Sequence, residues 1–248
     1  LYCDSRASKQ VAETQEALRD IPFDEAAQKL GSAVGPRILW FRENEPALWE
    51  RTAKIETGIS YLVRKLTGRS VVNWMEGSGY APLFSLKTMN WSPEICARLG
   101  IPIELLPEVT MWASDIAGTI TAEAAQETGL AEGTPVTTGT ADAVGDILST
   151  GASLPYEGTI LYGTTMIFFM AVPPPEESGI PSMPGPMPGL YYTGLAMSAS
   201  GALTTWFRNQ FGQMEVEAEA RLGISAYQLL GKQVEDIPPG SEGLLVAP

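Results

Sequence analysis

A carboxylate, a glycine turn and a Gly-Thr-Thr triplet stand close together in the segment EGTPVTTGTADAVGDILSTGASLPYEGTILYGTT, residues 132–165. Asp142 follows a short apolar run and Gly139, and a second apolar run ends in Gly163, Thr164 and Thr165. A carboxylate at a strand end can accept the proton of an alcohol. A turn of backbone amides and hydroxyls can cradle a phosphate, so the pair suits phosphoryl transfer to an alcohol. Each also has a plainer reading: Asp142 suits a cap for a helix starting at Ala143, and Gly-Thr-Thr suits a hairpin or strand-end turn. Asp146, one turn on, reads as structural.

Composition narrows the chemistry further. The 248 residues include no histidine, so this chain supplies no imidazole base, no histidine-based triad and no histidine metal ligand. Proton transfer falls to Asp, Glu, Lys or Tyr. A net charge of -13 opposes broad binding to nucleic acid or an acidic membrane, because a polyanion is repelled at long range. Two cysteines, Cys3 and Cys96, form neither a disulfide framework nor a thiolate metal site by spacing, and a reducing cytoplasm is the expected compartment. No apolar run is long enough to span a bilayer, and no basic, apolar leader opens the chain. The sequence starts on Leu1 and stops on Pro248 after the strand-like GLLVAP, so both ends are expected to continue into a longer protein.

The elements that must position these residues alternate. LYCD reads as a strand end, and SRASKQVAETQEALRD as a helix with Val11, Ala12, Ala17 and Leu18 near one side. Further helices are expected through FDEAAQKLG, through PRILWFRENEP with Pro36 in its first turn and a break at Pro46, and through PALWERTAKIETGISYLVRKLTG. Leu39, Trp40, Tyr61, Leu62 and Leu66 are expected in the core; Asp24, Glu43, Glu45 and Glu50 are expected to be solvated. From Val71 to Pro107 the pattern loosens into turns around a short helix in WSPEICARLG. A strand or loop, a helix closed by Gly129 and the strand PVTTG follow, which suggests a mixed α/β sheet with its site at the strand ends. After Thr150 come one or two strands in TILYGTTMIFFMAV, a proline-rich surface connection, and strand, glycine turn and helix in GLYYTGLAMSASGALTTWFRNQFG. A domain boundary is placed near residue 150, and Tyr191, Tyr192 and Trp206 are read as packing residues.

Several of these segments together resemble the carbohydrate kinases of the FGGY family. LYCDSRA is similar to their aromatic, Asp and Arg motif, GPRILWFRENEPALW and YLVRKLTG to two successive helices, and GLAEGTPVTTGTADAVG to the catalytic-aspartate strand. LYGTTMIFF resembles the second phosphate motif, SASGALTTWF the segment that approaches the nucleotide, and EGLLVAP a later strand. The resemblance runs in order through nearly the whole chain, most closely on the xylulokinase side.

The resemblance implies an α/β chain of the actin-like ATPase, ribonuclease-H-like fold. Residues 1–150 would be the later part of the sugar-binding domain and 151–248 the start of the ATP-binding domain. It implies a sugar and ATP as substrates, with Mg2+, and Asp142 as the general base. Tyr2, Asp4 and Arg6 would stand on the substrate side, and Gly163, Thr164, Thr165, Gly201 and Thr205 near the ATP phosphates or ribose. Members often dimerise, so a homodimer is the assembly it suggests. The sequence also departs from the pattern. The family's first phosphate motif would precede Leu1 and its adenine-binding glycine segment would follow Pro248, Ala143 stands where many relatives have Asn or Gln, and Ser85 where many have an acid. The expected activity is phosphorylation of a ketopentose such as xylulose. The alternatives are another acceptor, such as ribulose, gluconate or glycerol, or a catalytically silent sugar-binding module.

Overall fold

Side-chain caps fix many of the helix starts in the computed structural model, which describes residues 4–21, 34–197 and 199–246. Ser92 accepts from the Ile95 amide and opens Pro93–Leu99, Thr121 accepts from Ala124 and opens Ala122–Thr128, and Thr57 accepts from Ser60 and opens Gly58–Thr67. These hydroxyls satisfy amides that the first helical turn leaves without a partner. The Ser92 and Thr121 helices close on Gly100 and Gly129, both left-handed at φ 64° and 77°, where a Cβ would be strained.

In chain order the strands among the described residues are β1 (Val71–Asn73), β2 (Phe84–Ser85), β3 (Asn90–Trp91), β4 (Glu108–Thr110), β5 (Ile116–Thr119), β6 (Pro135–Thr137), β7 (Gly158–Tyr162), β8 (Met166–Val172), β9 (Met183–Pro184) and β10 (Tyr191–Met197). β1 and β4 pair parallel, whereas β2 with β3 and β5 with β6 are antiparallel pairs. The last four strands form one antiparallel sheet in the order β7-β8-β10-β9. Its register sets Tyr162 and Met197 on either side of Met166, so residues 163–165 are the hairpin turn between β7 and β8. The mixed α/β expectation therefore holds, with the parallel pairing confined to β1 and β4.

Two buried clusters matter for position. Leu39, Tyr80, Leu83, Trp91, Ile95 and Leu99 belong to the larger one, which ties the early helices to β2 and β3. The other joins Ile147 to Ala152, Ala171, Leu190 and Tyr192. Ile147, fully buried, anchors the helix Asp142–Ser149 to the antiparallel sheet. Burial of such a side chain contributes about 1.5–3 kcal/mol. Contacts thus cross the expected boundary near residue 150, as does the hydrogen bond from the Ala113 amide to the Pro186 carbonyl at 2.9 Å.

Several expectations are corrected. The first helix, Ser8–Ala17, turns Gln10 and Thr14 inward and leaves Ala12 and Ala17 exposed. Gln10 can sit inside because its amide donates to Glu43 at 2.8 Å, and Glu43 itself stays exposed, as expected. Tyr61 and Leu62 are 52% and 58% exposed, and Val63 takes the core position instead. Tyr61 instead lies under the Arg64 guanidinium, 5.4 Å from its ring centroid. The proline-rich stretch is not a simple surface connection, since Pro184, Gly185 and Pro186 are buried and β9 pairs with β10. Pro184 is tolerated there because β9 is an edge strand. Between Val71 and Pro107 the structure holds β1, β2, β3 and the helix Trp74–Ser78, more order than the sequence suggests. Trp206 is half exposed, whereas Tyr192 is buried and donates to the Ala152 carbonyl. Asp24, the helix expected in FDEAAQKLG and most of LYCD lie outside the described residues.

Cys96 is buried in the larger cluster, and burial pushes its thiol up to about 11. A thiol so placed carries little thiolate at neutral pH. Iodoacetamide at pH 8 is therefore expected to leave Cys96 unmodified in the folded protein and to alkylate it in denaturant, as read by peptide mass spectrometry. Fast labelling of the folded protein at Cys96 would contradict this environment.

Candidate active site

Asp142 is exposed at the first residue of the helix Asp142–Ser149, with Ala141 as its N-cap. Its Oδ1 accepts the Ala143 amide at 2.8 Å. An acid in the first turn also complements the positive end of the helix. The helix thus begins one residue earlier than the cap reading placed it, and the carboxylate faces solvent.

The approach to Asp142 is fixed by hydrogen bonds with two earlier segments. Thr138 and Gly139 donate their amides to the carbonyls of Asp115 and Ala113, at 2.8 and 2.9 Å. Asn73 Nδ2 donates to the Gly139 carbonyl at 2.6 Å, and the Ala141 amide donates to Glu76 Oε1 at 2.8 Å. The Asp115 carboxylate accepts the amides of Met111 and Trp112 and so shapes the turn beneath. In the same loop the Thr140 hydroxyl is buried with no hydrogen-bond partner among the described residues. Burial raises the Glu76 carboxyl above the ordinary glutamate range and the charge of Asp142 adds to this, while the Ala141 amide opposes it. Sequence reasoning missed Glu76 and Asn73. The available signal was the spacing Asn-x-x-Glu, a helix-start pattern, and Asn73 does accept the Glu76 amide at 3.1 Å.

The second candidate region assembles from two separated segments. At the β7–β8 turn the Gly163 amide donates to the Thr165 carbonyl at 2.8 Å. The Gly163 carbonyl in turn accepts the Gly201 amide at 2.9 Å, and the Thr164 carbonyl accepts the Ser200 amide at 2.9 Å. The start of the helix Gly201–Phe211 is therefore stitched to the Gly-Thr-Thr turn, and Tyr162 OH shares a hydrogen bond with Thr204 Oγ1 at 2.8 Å. Thr164 is exposed and Thr165 half-buried. What this turn offers a phosphate is chiefly the exposed Thr164 hydroxyl, since the Gly163, Ser200 and Gly201 amides already donate to backbone carbonyls. The helix of Asp142 meets this sheet through Thr150, whose hydroxyl pairs with Thr159 of β7 at 2.8 Å.

The structure thus brings Gly163, Thr164, Thr165 and Gly201 together. Thr205 lies further along that helix, with its hydroxyl 3.0 Å from Tyr227 OH. Asp4 and Arg6 engage each other through paired hydrogen bonds, which hold the Asp4 carboxyl well below the usual carboxylate range. The Arg6 guanidinium also stacks on Trp40, 4.4 Å from the ring centroid. Tyr2 lies outside the described residues.

Comparison with known proteins places this geometry in context. Residues 1–148 match the model of the N-terminal domain of the FGGY family of carbohydrate kinases. A protein named autoinducer-2 kinase from Klebsiella pneumoniae is 29% identical over 98% of this chain and 46% of its own length. A solved xylulose kinase from Rhodospirillum rubrum superposes with a TM-score of 0.81 at 25% identity, covering 98% of this chain and 49% of that one. A gluconate kinase from Lactobacillus acidophilus shares the fold, with a TM-score of 0.74 at 18% identity over 98% of this chain and 48% of its own. The chain spans about half the length of the curated relatives it matches.

Proposed function

The chain belongs to the FGGY family of carbohydrate kinases, and from that premise we propose that the complete protein transfers the γ-phosphoryl group of ATP to a hydroxyl of a ketopentose such as xylulose. In this reading residues 1–150 serve the sugar side, residues 151–248 begin the ATP side, and the reaction runs in the cytoplasm. Asp142 accepts the proton of the attacking hydroxyl, so that the oxygen gains nucleophilic character as it approaches the phosphorus. Gly163 lets the turn backbone approach the phosphates, and Thr164 offers its exposed hydroxyl to them. Asp4, Arg6 and Tyr2 complete the substrate side.

The observation that carries this reading is the stitching of the turn at residues 163–165 to the start of the helix Gly201–Phe211. It joins the Gly-Thr-Thr turn to a helix that the sequence keeps apart from it, which supports a shared role for the two segments. Among the described residues no group of three or more His, Cys, Asp or Glu side chains converges on one point. A magnesium ion carried by the ATP phosphates and water would neutralise phosphate charge, and the exposed Asp142 carboxylate would face it through water.

A second acceptor reading, phosphorylation of autoinducer-2, is favoured by the 29% identity to autoinducer-2 kinases along 98% of this chain. Comparing kcat/KM of the complete protein for xylulose, autoinducer-2, ribulose, gluconate and glycerol separates the readings. A preference for xylulose of about tenfold or more, about 1.4 kcal/mol in transition-state binding, supports the first reading, and the reverse order replaces it.

Thr164→Val tests the phosphate side. The change keeps shape and removes one exposed hydroxyl, so the KM for ATP is expected to rise by roughly 10- to 150-fold, the worth of one hydrogen bond to a charged group, with the sugar KM little changed. An unchanged ATP dependence would remove Thr164 from the phosphate contacts.

A further inference from the structure

The loop between β6 and Asp142 holds its shape through two side chains of one short helix start. Asn73, fully buried, caps the helix Trp74–Ser78 by accepting the Glu76 amide at Oδ1, and its Nδ2 donates to the Gly139 carbonyl. Glu76, one turn along, accepts the Ala141 amide. One bond holds the carbonyl of residue 139 and the other the amide of residue 141, so the peptide groups on both sides of Thr140 are fixed. Fixing them sets the direction in which the chain enters Asp142.

The cost of this arrangement argues that it has a use. Glu76 is half-buried and lies near a second acid, and both facts disfavour its charge. A neutral acceptor could take the same amide without that cost, although a carboxylate makes the stronger, charge-assisted bond. In Asn73 both ends of the amide are used, one as donor and one as acceptor. An aspartate of the same shape cannot supply the donor.

We propose that Asn73 and Glu76 are positioning residues for Asp142, bracing the loop at residues 139–141 so that its carboxylate meets the acceptor hydroxyl in a reactive geometry. The proposal rests on the phosphotransfer reading above. Neither residue touches the reacting atoms; each acts through the backbone. Displacement of a catalytic group by about 1 Å can cost on the order of 100-fold in rate, so the brace should be visible in kcat rather than in substrate binding.

The test uses the complete protein and four variants, with thermal unfolding and ATP binding confirming that each is folded. Glu76→Ala is expected to lower kcat by about 10- to 100-fold while both KM values stay within about threefold. Glu76→Gln should regain much of that loss, because its Oε1 can still accept the Ala141 amide. Asn73→Asp should lower kcat without rescue, because the donor to Gly139 is gone. Asp142→Asn marks the floor. A folded Glu76→Ala variant with wild-type kcat, or one whose defect lies wholly in KM, overturns the proposal. Hydrogen exchange gives a readout independent of turnover: the Ala141 amide should exchange faster in Glu76→Ala and regain protection in Glu76→Gln. If wild type phosphorylates no acceptor, the functional reading fails, and the brace then stands or falls on that exchange. Unchanged protection at Ala141 in Glu76→Ala overturns it in either case.

Discussion

Asp142→Asn in the complete protein is expected to reduce kcat by about 10²- to 10⁴-fold, the range that loss of a general base produces. The amide keeps the shape of the side chain, and its oxygen can still accept the Ala143 amide that Asp142 Oδ1 now takes. The helix start should therefore survive, and because the side chain is exposed, little packing is disturbed. Loss of acid charge at a helix start costs at most about 1 kcal/mol, too little to explain a collapse in rate. Sugar and ATP binding should persist, since Asn removes a proton acceptor and not a wall of the site. Steady-state kinetics with isothermal binding separates the outcomes. A variant within about threefold of wild-type kcat would show that Asp142 only starts its helix.

Gly201→Ala should damage ATP use and stability together, against the usual direction of the substitution. Alanine in place of glycine inside a helix normally stabilises by up to about 1 kcal/mol. At position 201, however, an added Cβ would lie 2.5 Å from the Gly163 carbonyl oxygen and 3.2 Å from its carbon. Both are backbone atoms of the Gly-Thr-Thr turn and cannot rotate away, so the turn or the helix must move. Overpacking of this kind costs about 1–3 kcal/mol, which outweighs the propensity gain. Differential scanning calorimetry should show the unfolding midpoint falling by roughly 2–4 °C per kcal/mol. On the proposed role of this turn, the KM for ATP should also rise by about tenfold or more, since the clash displaces the backbone that presents Thr164. Gly145→Ala supplies the control, because a Cβ there meets nothing within 4 Å, and its stability should hold or rise. If Gly201→Ala behaves like Gly145→Ala, the stitching of turn to helix has no part in nucleotide binding.

Local chemistry made part of this fold legible. Ser92 opens one helix and Gly129 closes another because a hydroxyl cap and a left-handed glycine are local necessities that need no tertiary context. Apolar patterning served less well where a polar side chain found a distant partner. Gln10 is buried because Glu43, far along the chain, accepts its amide, and no periodicity within the first helix could disclose that. Tyr61 and Leu62 mislead in the opposite sense, since size and hydrophobicity do not say which face of a helix meets the core.

The candidate site shows the same division. Asp142 and the turn at residues 163–165 stand out from residue type and spacing, and the structure adds Gly201 to that turn through backbone bonds that no side-chain motif encodes. Glu76 escaped notice because its partner is a backbone amide in a loop distant in sequence. The Asn-x-x-Glu spacing marks a helix start, but the glutamate turns away from its own helix end to serve another loop. Asp4 and Arg6 stand on the substrate side only through the family resemblance. Their mutual hydrogen bonds are compatible with that use, because a paired arginine still presents donors outward.

The most direct measurement is 31P NMR of the complete protein with ATP, magnesium and xylulose, followed by the same spectrum with Asp142→Asn. The expected result is a new phosphomonoester resonance growing in step with ADP in wild type and nearly absent in the variant. ADP appearing with free phosphate alone, or no turnover of any acceptor by a folded protein that binds ATP, would contradict phosphoryl transfer to a sugar hydroxyl by this chain's Asp142.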